Sequence, residues 1–147
     1  MSGRVGQCRQ AAASRARGSV GLTAMDIVED LLTAHPAVRY VAVKQGDDLR
    51  MRQKDSDLAG ASSSESDTYE EWLTNPVLLQ AAGNRGQLGC GGLSYVLVRY
   101  GNFWQFVRAV PGGHVSVCID QASDPVALLP TLFERLVEHF GEGQRTY

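Results

Sequence analysis

The chain has 147 residues, 44% of them hydrophobic and 20% charged, which suits one globular domain large enough to bury its own core. Net charge is −2 but unevenly spread: Arg4, Arg9, Arg15 and Arg17 give residues 1–24 a charge of +4 with no acid, leaving −6 on the rest, a poor balance for binding nucleic acid through its phosphates. No apolar run approaches the roughly 20 residues a membrane span needs, and Cys8, Cys90 and Cys118, which share no metal-ligand spacing and follow no secretory signal, point to reduced thiols in a cytoplasmic protein with no metal or other cofactor.

Residues 1–22 are rich in Arg, Ala, Ser and Gly and lack periodicity, so they read as a disordered basic tail. A targeting peptide would share the arginines, but Val5, Val20 and Leu22 make no apolar face. Thr23 can cap a first helix and Asp26 can close its capping box. Ile27, Val28, Leu31 and Leu32 form its apolar stripe, and His35-Pro36 stops it. Val38–Val43 is a strand, Gln45-Gly46-Asp47-Asp48 a turn, and Leu49–Gln53 a half-exposed return strand. Lys54–Asp67 is a polar loop. Its serines Ser62, Ser63, Ser64 and Ser66 fit a phosphate-regulated segment or, more simply, a plain connection.

Asp67 or Thr68 caps a middle helix, with Glu70 and Glu71 as first-turn acids. Its apolar face starts at Tyr69, Trp72 and Leu73, is interrupted by Asn75-Pro76, and resumes with Val77, Leu78, Ala81 and Ala82. That pattern gives one kinked helix or two short ones, ending at Gly83. The Gly-rich run Gly83–Gly92 opens no helix and holds no Gly-Lys-Ser/Thr, so it reads as a loop of positive φ and not as a phosphate cradle. Cys90 is a candidate nucleophile if His114 comes near it, or else a small packing residue. His114 itself reads as a surface residue at a strand start.

Three strands follow, LSYVLVRYG, NFWQFVRAV and PGGHVSVCID, separated by Gly101-Asn102 and Pro111-Gly112-Gly113. Gaps this short make antiparallel neighbours. Leu93, Tyr95 and Leu97 share one face, with Ser94, Val96 and Val98 on the other. Trp104, Phe106 and Val110 likewise oppose Phe103, Gln105 and Val107. Both faces are apolar and both need a cover. The last helix starts at Ser123-Asp124-Pro125, carries Val126, Leu129, Phe133, Leu136, Val137 and Phe140 on one face, bends at Pro130 and ends at Gly141. Residues 142–147 form a tail.

The order α-β-β-α-β-β-β-α predicts an α+β fold over residues 23–141. It is a five-stranded antiparallel sheet with the first and last helices on one face and the middle helix on or beside the other, of profilin type. The hairpin HPAVRYVAVKQGDDLRMRQ resembles the opening hairpin pattern of the roadblock, or dynein-light-chain-type, family. The run GGLSYVLVRYGNFWQFVRAVPGGHVSVCIDQASDPVALLPTLFERL resembles that family's closing strands and C-terminal helix. The turn departs from the family's Asp-x-x-Gly, because Gly46 precedes Asp47-Asp48. Pro76 also interrupts the middle helix. The resemblance implies a protein that is not an enzyme and forms a homodimer. It would act as a regulator or scaffold of a small Ras-like GTPase or signalling complex. The middle helix and third strand would form the interface, with Trp72, Leu73, Leu79, Val96 and Val98 as its residues, although each of these suits the monomer core equally. The other reading is a profilin-like small-molecule sensor, or an enzyme using Cys90 and His114.

Overall fold

The computed structural model of the chain describes residues 24–54 and 64–142. The basic tail, the Thr23 cap, most of the Ser-rich loop and residues 143–147 lie outside the described residues. Helix α1 (Ala24–Thr33) leads to strands β1 (Val38–Gln45) and β2 (Asp48–Gln53). Helix α2 (Ser64–Tyr69) then passes directly through a π-helical turn (Glu70–Thr74) into α3 (Asn75–Gly86). Strands β3 (Val96–Arg99), β4 (Phe103–Val110) and β5 (Gly113–Asp120) and helix α4 (Pro125–Phe140) complete the fold.

The strands form one antiparallel sheet in the order β2-β1-β5-β4-β3, which is the expected α+β architecture. The N-terminal hairpin and the meander meet where β1 pairs with β5. The turns that close the hairpins are built as their residues predict: Gly46 and Gly112 take φ of 57° and 80°, open to glycine at little cost. β3 is shorter than the apolar run that contains it: residues 91–95 have no regular structure, and Gly91 and Gly92 take φ of 77° and 88°.

On one face, Ile27, Val28, Leu31 and Leu32 of α1 pack with Val41, Val43, Val115, Val117, Ile119 and Phe106 of the sheet and with Leu128, Leu129, Leu132 and Leu136 of α4. The stripe expected on α4 is therefore displaced. Leu129 and Leu136 are buried as expected, but Val126 and Val137 are exposed and Leu128 and Leu132 take their place. Both stripes obey helical spacing, and contact with α1 as well as the sheet selects the leucines. Across the α1–α4 seam, Asp30 accepts from Arg135 Nη1 at 3.1 Å and pairs with His139 Nε2 at 3.0 Å. The start of α4 is as predicted: Asp124 accepts from the Val126 amide at 3.0 Å and Pro125 occupies the first turn.

Candidate functional site

The middle helix covers the other face of the sheet, and its geometry follows from Pro76. Proline has no N–H, and its ring crowds the carbonyl four residues back, here that of Trp72. The turn before it is widened: the Asn75 amide donates to the Glu70 carbonyl, five residues away, in place of the α-helical partner. The chain thus stays helical through Asn75-Pro76 and neither breaks nor divides. It also runs past Gly83, the expected end, to Gly86. There the missing Cβ is required, because one would meet the backbone of Gly92 and Leu93 at 2.9–3.0 Å.

This turn inverts the usual distribution of polarity. The buried line runs Glu71, Asn75, Leu79, Gly83, at intervals of four. The exposed line, two positions round, runs Tyr69, Leu73, Val77, Ala81. At its N-terminal end the helix therefore buries a carboxylate and a carboxamide while presenting Tyr69 (61% exposed), Leu73 (48%) and Val77 (58%) to solvent, with Trp72 (43%) beside them. The Lys44 ammonium lies 4.6 Å from the centre of the Trp72 ring. Helix α3 also contacts β3, an edge of the sheet, whose Val96 and Val98 are half-buried on the face that the helix covers.

Beneath the turn lies a polar cluster. The Glu71 carboxylate accepts from Asn75 Nδ2 at 3.1 Å and from the Tyr40 hydroxyl at 3.3 Å, and it meets His114 Nε2 at 2.6 Å. Glu71 and His114 are almost wholly excluded from solvent. His114 is thus no surface residue: β5 turns it, with Ser116 and Cys118, onto the face the middle helix covers. Burial, reinforced by the Glu71 charge, raises the Tyr40 hydroxyl pKa. Burial also pushes the Cys118 thiol well up, so it remains protonated and inert. At the rim, the Tyr100 hydroxyl donates to Glu70 Oε1 at 3.0 Å and is pushed up to about 12, by burial first and the Glu70 charge second.

Glu70 is raised too, chiefly by burial, with the Glu71 charge adding to it. Because the folded chain holds this proton more tightly, Glu70 adds stability below the ordinary carboxylate range. That contribution is lost as pH rises through the raised folded value. Glu70→Gln keeps an acceptor for Tyr100 and mimics the protonated acid. It is expected to raise the melting temperature at pH 7, with the difference closing as pH falls below about 4, the ordinary carboxylate value. Melting curves of both proteins from acid to neutral pH check this, and a gap that widens toward acid would refute the assignment.

The residues singled out in the sequence separate on the structure. Trp72 and Leu73 are exposed, and Val96 and Val98 are half-buried at the sheet edge. Leu79 has zero exposure and packs inside the monomer, where α3 meets the sheet, so it has no surface to offer a partner. Cys90 is exposed, 2.9 Å from Arg85 Nη1 in the loop after α3, while His114 is buried with Glu71. The fold does not bring the two together: His114 commits Nε2 to Glu71 under the helix, and Cys90 sits outside it. Among the described residues no group of His, Cys, Asp and Glu could hold a metal ion, and no helix is long and apolar enough to cross a membrane.

The fold is that of the gliding protein MglB from Thermus thermophilus, which aligns over 80% of this chain and 84% of its own with a TM-score of 0.55 and 14% identity. MglC from Myxococcus xanthus aligns over 78% of this chain and 97% of its own, with a TM-score of 0.44 and 16% identity. No family model matches the sequence, and no curated protein does.

Proposed function

We propose, from the premise of a roadblock-type fold shared with MglB, that this chain is a non-enzymatic interaction module. It dimerises through the middle helix and β3 and acts as a regulator or scaffold of a small Ras-like GTPase or signalling complex. The observation that carries the reading is the inverted helix. Tyr69, Leu73 and Val77 face solvent while Glu71 and Asn75 are buried, a costly arrangement unless the outward face is used. The strand beside it strengthens the case. β3 is an open edge, and pairing two such edges about a two-fold axis removes an aggregation hazard while continuing the sheet. Trp72, Leu73, Val96 and Val98 are the interface residues this predicts. Leu79 supports them from below.

Light scattering over a range of concentrations tests the first step. The wild-type chain is expected at twice its monomer mass. Val96→Asp and Leu73→Asp are expected at the monomer mass with an unchanged circular dichroism spectrum, because both sites lie at or near the surface. A monomer at all concentrations would refute dimerisation by this surface. The second step is co-elution of the dimer with small Ras-like GTPases from the same organism, loaded with GDP or a GTP analogue. A GTPase regulator is expected to favour one nucleotide state.

A further inference from the structure

A second apolar stripe runs along α4, on the face of the sheet opposite the middle helix. Val126, Pro130 and Val137 are exposed there and Phe133 is half-buried, at spacings that put all four on one side of the helix. Packing with α1 and the sheet turns the leucines of α4 inward and leaves this flank out. The flank faces the β3 side of the sheet. Phe133 meets the Tyr95 ring at 5.8 Å, and Val137 and Phe140 share a shallow pocket with residues 108–110 of β4. Among the described residues no further helix follows α4 toward β3. Tyr95, Leu97 and Trp104 therefore stay half-buried beside the stripe.

Charge frames this apolar strip. Residues 72–119 hold Arg85, Arg99 and Arg108 and no acid, so the −6 of residues 25–147 divides into +3 on this stretch and −9 on the rest. Two of those arginines stand on the strip. Arg99 is opposite Trp104 in the β3–β4 ladder, its guanidinium 5.3 Å from the indole centre, and the Arg108 guanidinium lies 4.7 Å from the centre of the Phe133 ring. Stacking on a ring fixes each cation without neutralising it. Trp104 precedes Arg108 by four residues on β4, so the two cations stand about 13 Å apart along the strands, at roughly 3.3 Å per residue. On α4, Glu134 and Glu138 are exposed to solvent, and they bias a bound carboxylate toward the arginines.

We propose that this strip, between α4 and the open end of the sheet, binds an extended segment of a partner protein with the pattern acid-x-apolar-x-acid. In an extended chain residues i, i+2 and i+4 project to one side, and i to i+4 spans about 13 Å, which matches the arginine spacing. The apolar side chain meets Tyr95, Leu97 and the α4 stripe, while each carboxylate meets one guanidinium. The site lies on the face away from Trp72 and Leu73 and does not depend on the chain's dimerising through them.

The test is a titration of the full ¹⁵N-labelled chain with the peptide acetyl-Glu-Thr-Leu-Thr-Glu-amide, followed by backbone amide signals. Saturable shifts are expected at Tyr95, Leu97, Arg99, Arg108 and Val137, with Trp72 and Leu73 unmoved. With lysine in place of both glutamates, affinity is expected to fall about tenfold or more, because two attractions become repulsions. Serine in place of the leucine is expected to cost about tenfold, the worth of one buried apolar side chain. On the protein, Arg99→Gln is expected to weaken binding about fivefold, as for an exposed ion pair. Val137→Glu, which removes apolar surface and adds an acid, is expected to weaken it about tenfold or more. Arg99 and Val137 are both exposed, so their replacement leaves the fold in place. No saturation, equal binding of the lysine peptide, undiminished binding by both variants, or shifts confined to Trp72 and Leu73 would each overturn the proposal.

Discussion

Replacing His114 alone by leucine is expected to destabilise the chain by about 3–5 kcal/mol, because it leaves the Glu71 carboxylate buried without its closest partner. Asn75 and Tyr40 remain, at 3.1 and 3.3 Å, but they are neutral donors at longer range. Glu71→Leu alone should cost a comparable amount for the converse reason, since His114, Asn75 and Tyr40 then lose a shared acceptor in a dry site. The double replacement is expected to cost less than either single one. It removes both ends of the pair and puts apolar volume beneath the helix, the change for which buried ion pairs often show no net loss. Urea denaturation of the four proteins gives the coupling directly. A double variant whose cost equals the sum of the single costs would mean that the two side chains contribute independently, and the cluster would not be a unit.

That cluster is also where reading the sequence failed, and the reason is local. Glu70 and Glu71 are adjacent acids near a helix start, where both are ordinarily solvated and favoured by the helix dipole. The widened turn shifts which residues face the sheet, so Glu71 turns in while Trp72 and Leu73, whose composition suggests a core, turn out. Periodicity of 3.6 cannot anticipate an extra residue in one turn. A signal was nevertheless present on the strands. His114 and Ser116 alternate with Val115 and Val117, so β5 presents polar side chains to a face that the middle helix must cover, and Gln105 falls on that face next to them. Three polar groups on a covered face require partners, and the middle helix had to supply one. Where a feature rested on short-range chemistry, the sequence was sufficient. The hairpin turns, the Asp124 cap and the α1 stripe each depend on residues close together in the chain. The α4 stripe needed knowledge of α1, and Cys90, read as packing or catalytic, needed the path of the loop that leaves it outside.

The adjacent glycines at the turn before β5 give the second large effect, and they separate two reasons for glycine that look identical in sequence. Gly112 has φ of 80° with open space where a Cβ would sit. Gly112→Ala should therefore cost only the backbone strain of a side chain in that region, about 1–2 kcal/mol. Gly113 has no such φ, but its Cβ would fall 1.7 Å from the Lys44 carbonyl oxygen and 2.7 Å from its carbon. Those atoms belong to β1, where Gln45 pairs with Gly113 and Lys44 with His114. Backbone held in a central ladder has no rotamer to change, so either β1 moves away or β5 does. Both movements open the seam that joins the N-terminal hairpin to the meander, and both shift His114, one residue on, from beneath Glu71. Gly113→Ala is therefore expected to cost more than about 4 kcal/mol, in the range reserved for disrupted packing of the fold itself. Urea denaturation of the two alanine variants tests the contrast. Equal costs near the strain value of about 1–2 kcal/mol would mean that the β1–β5 seam gives way at its end without loss, and the close approach at Gly113 would then be incidental to the fold.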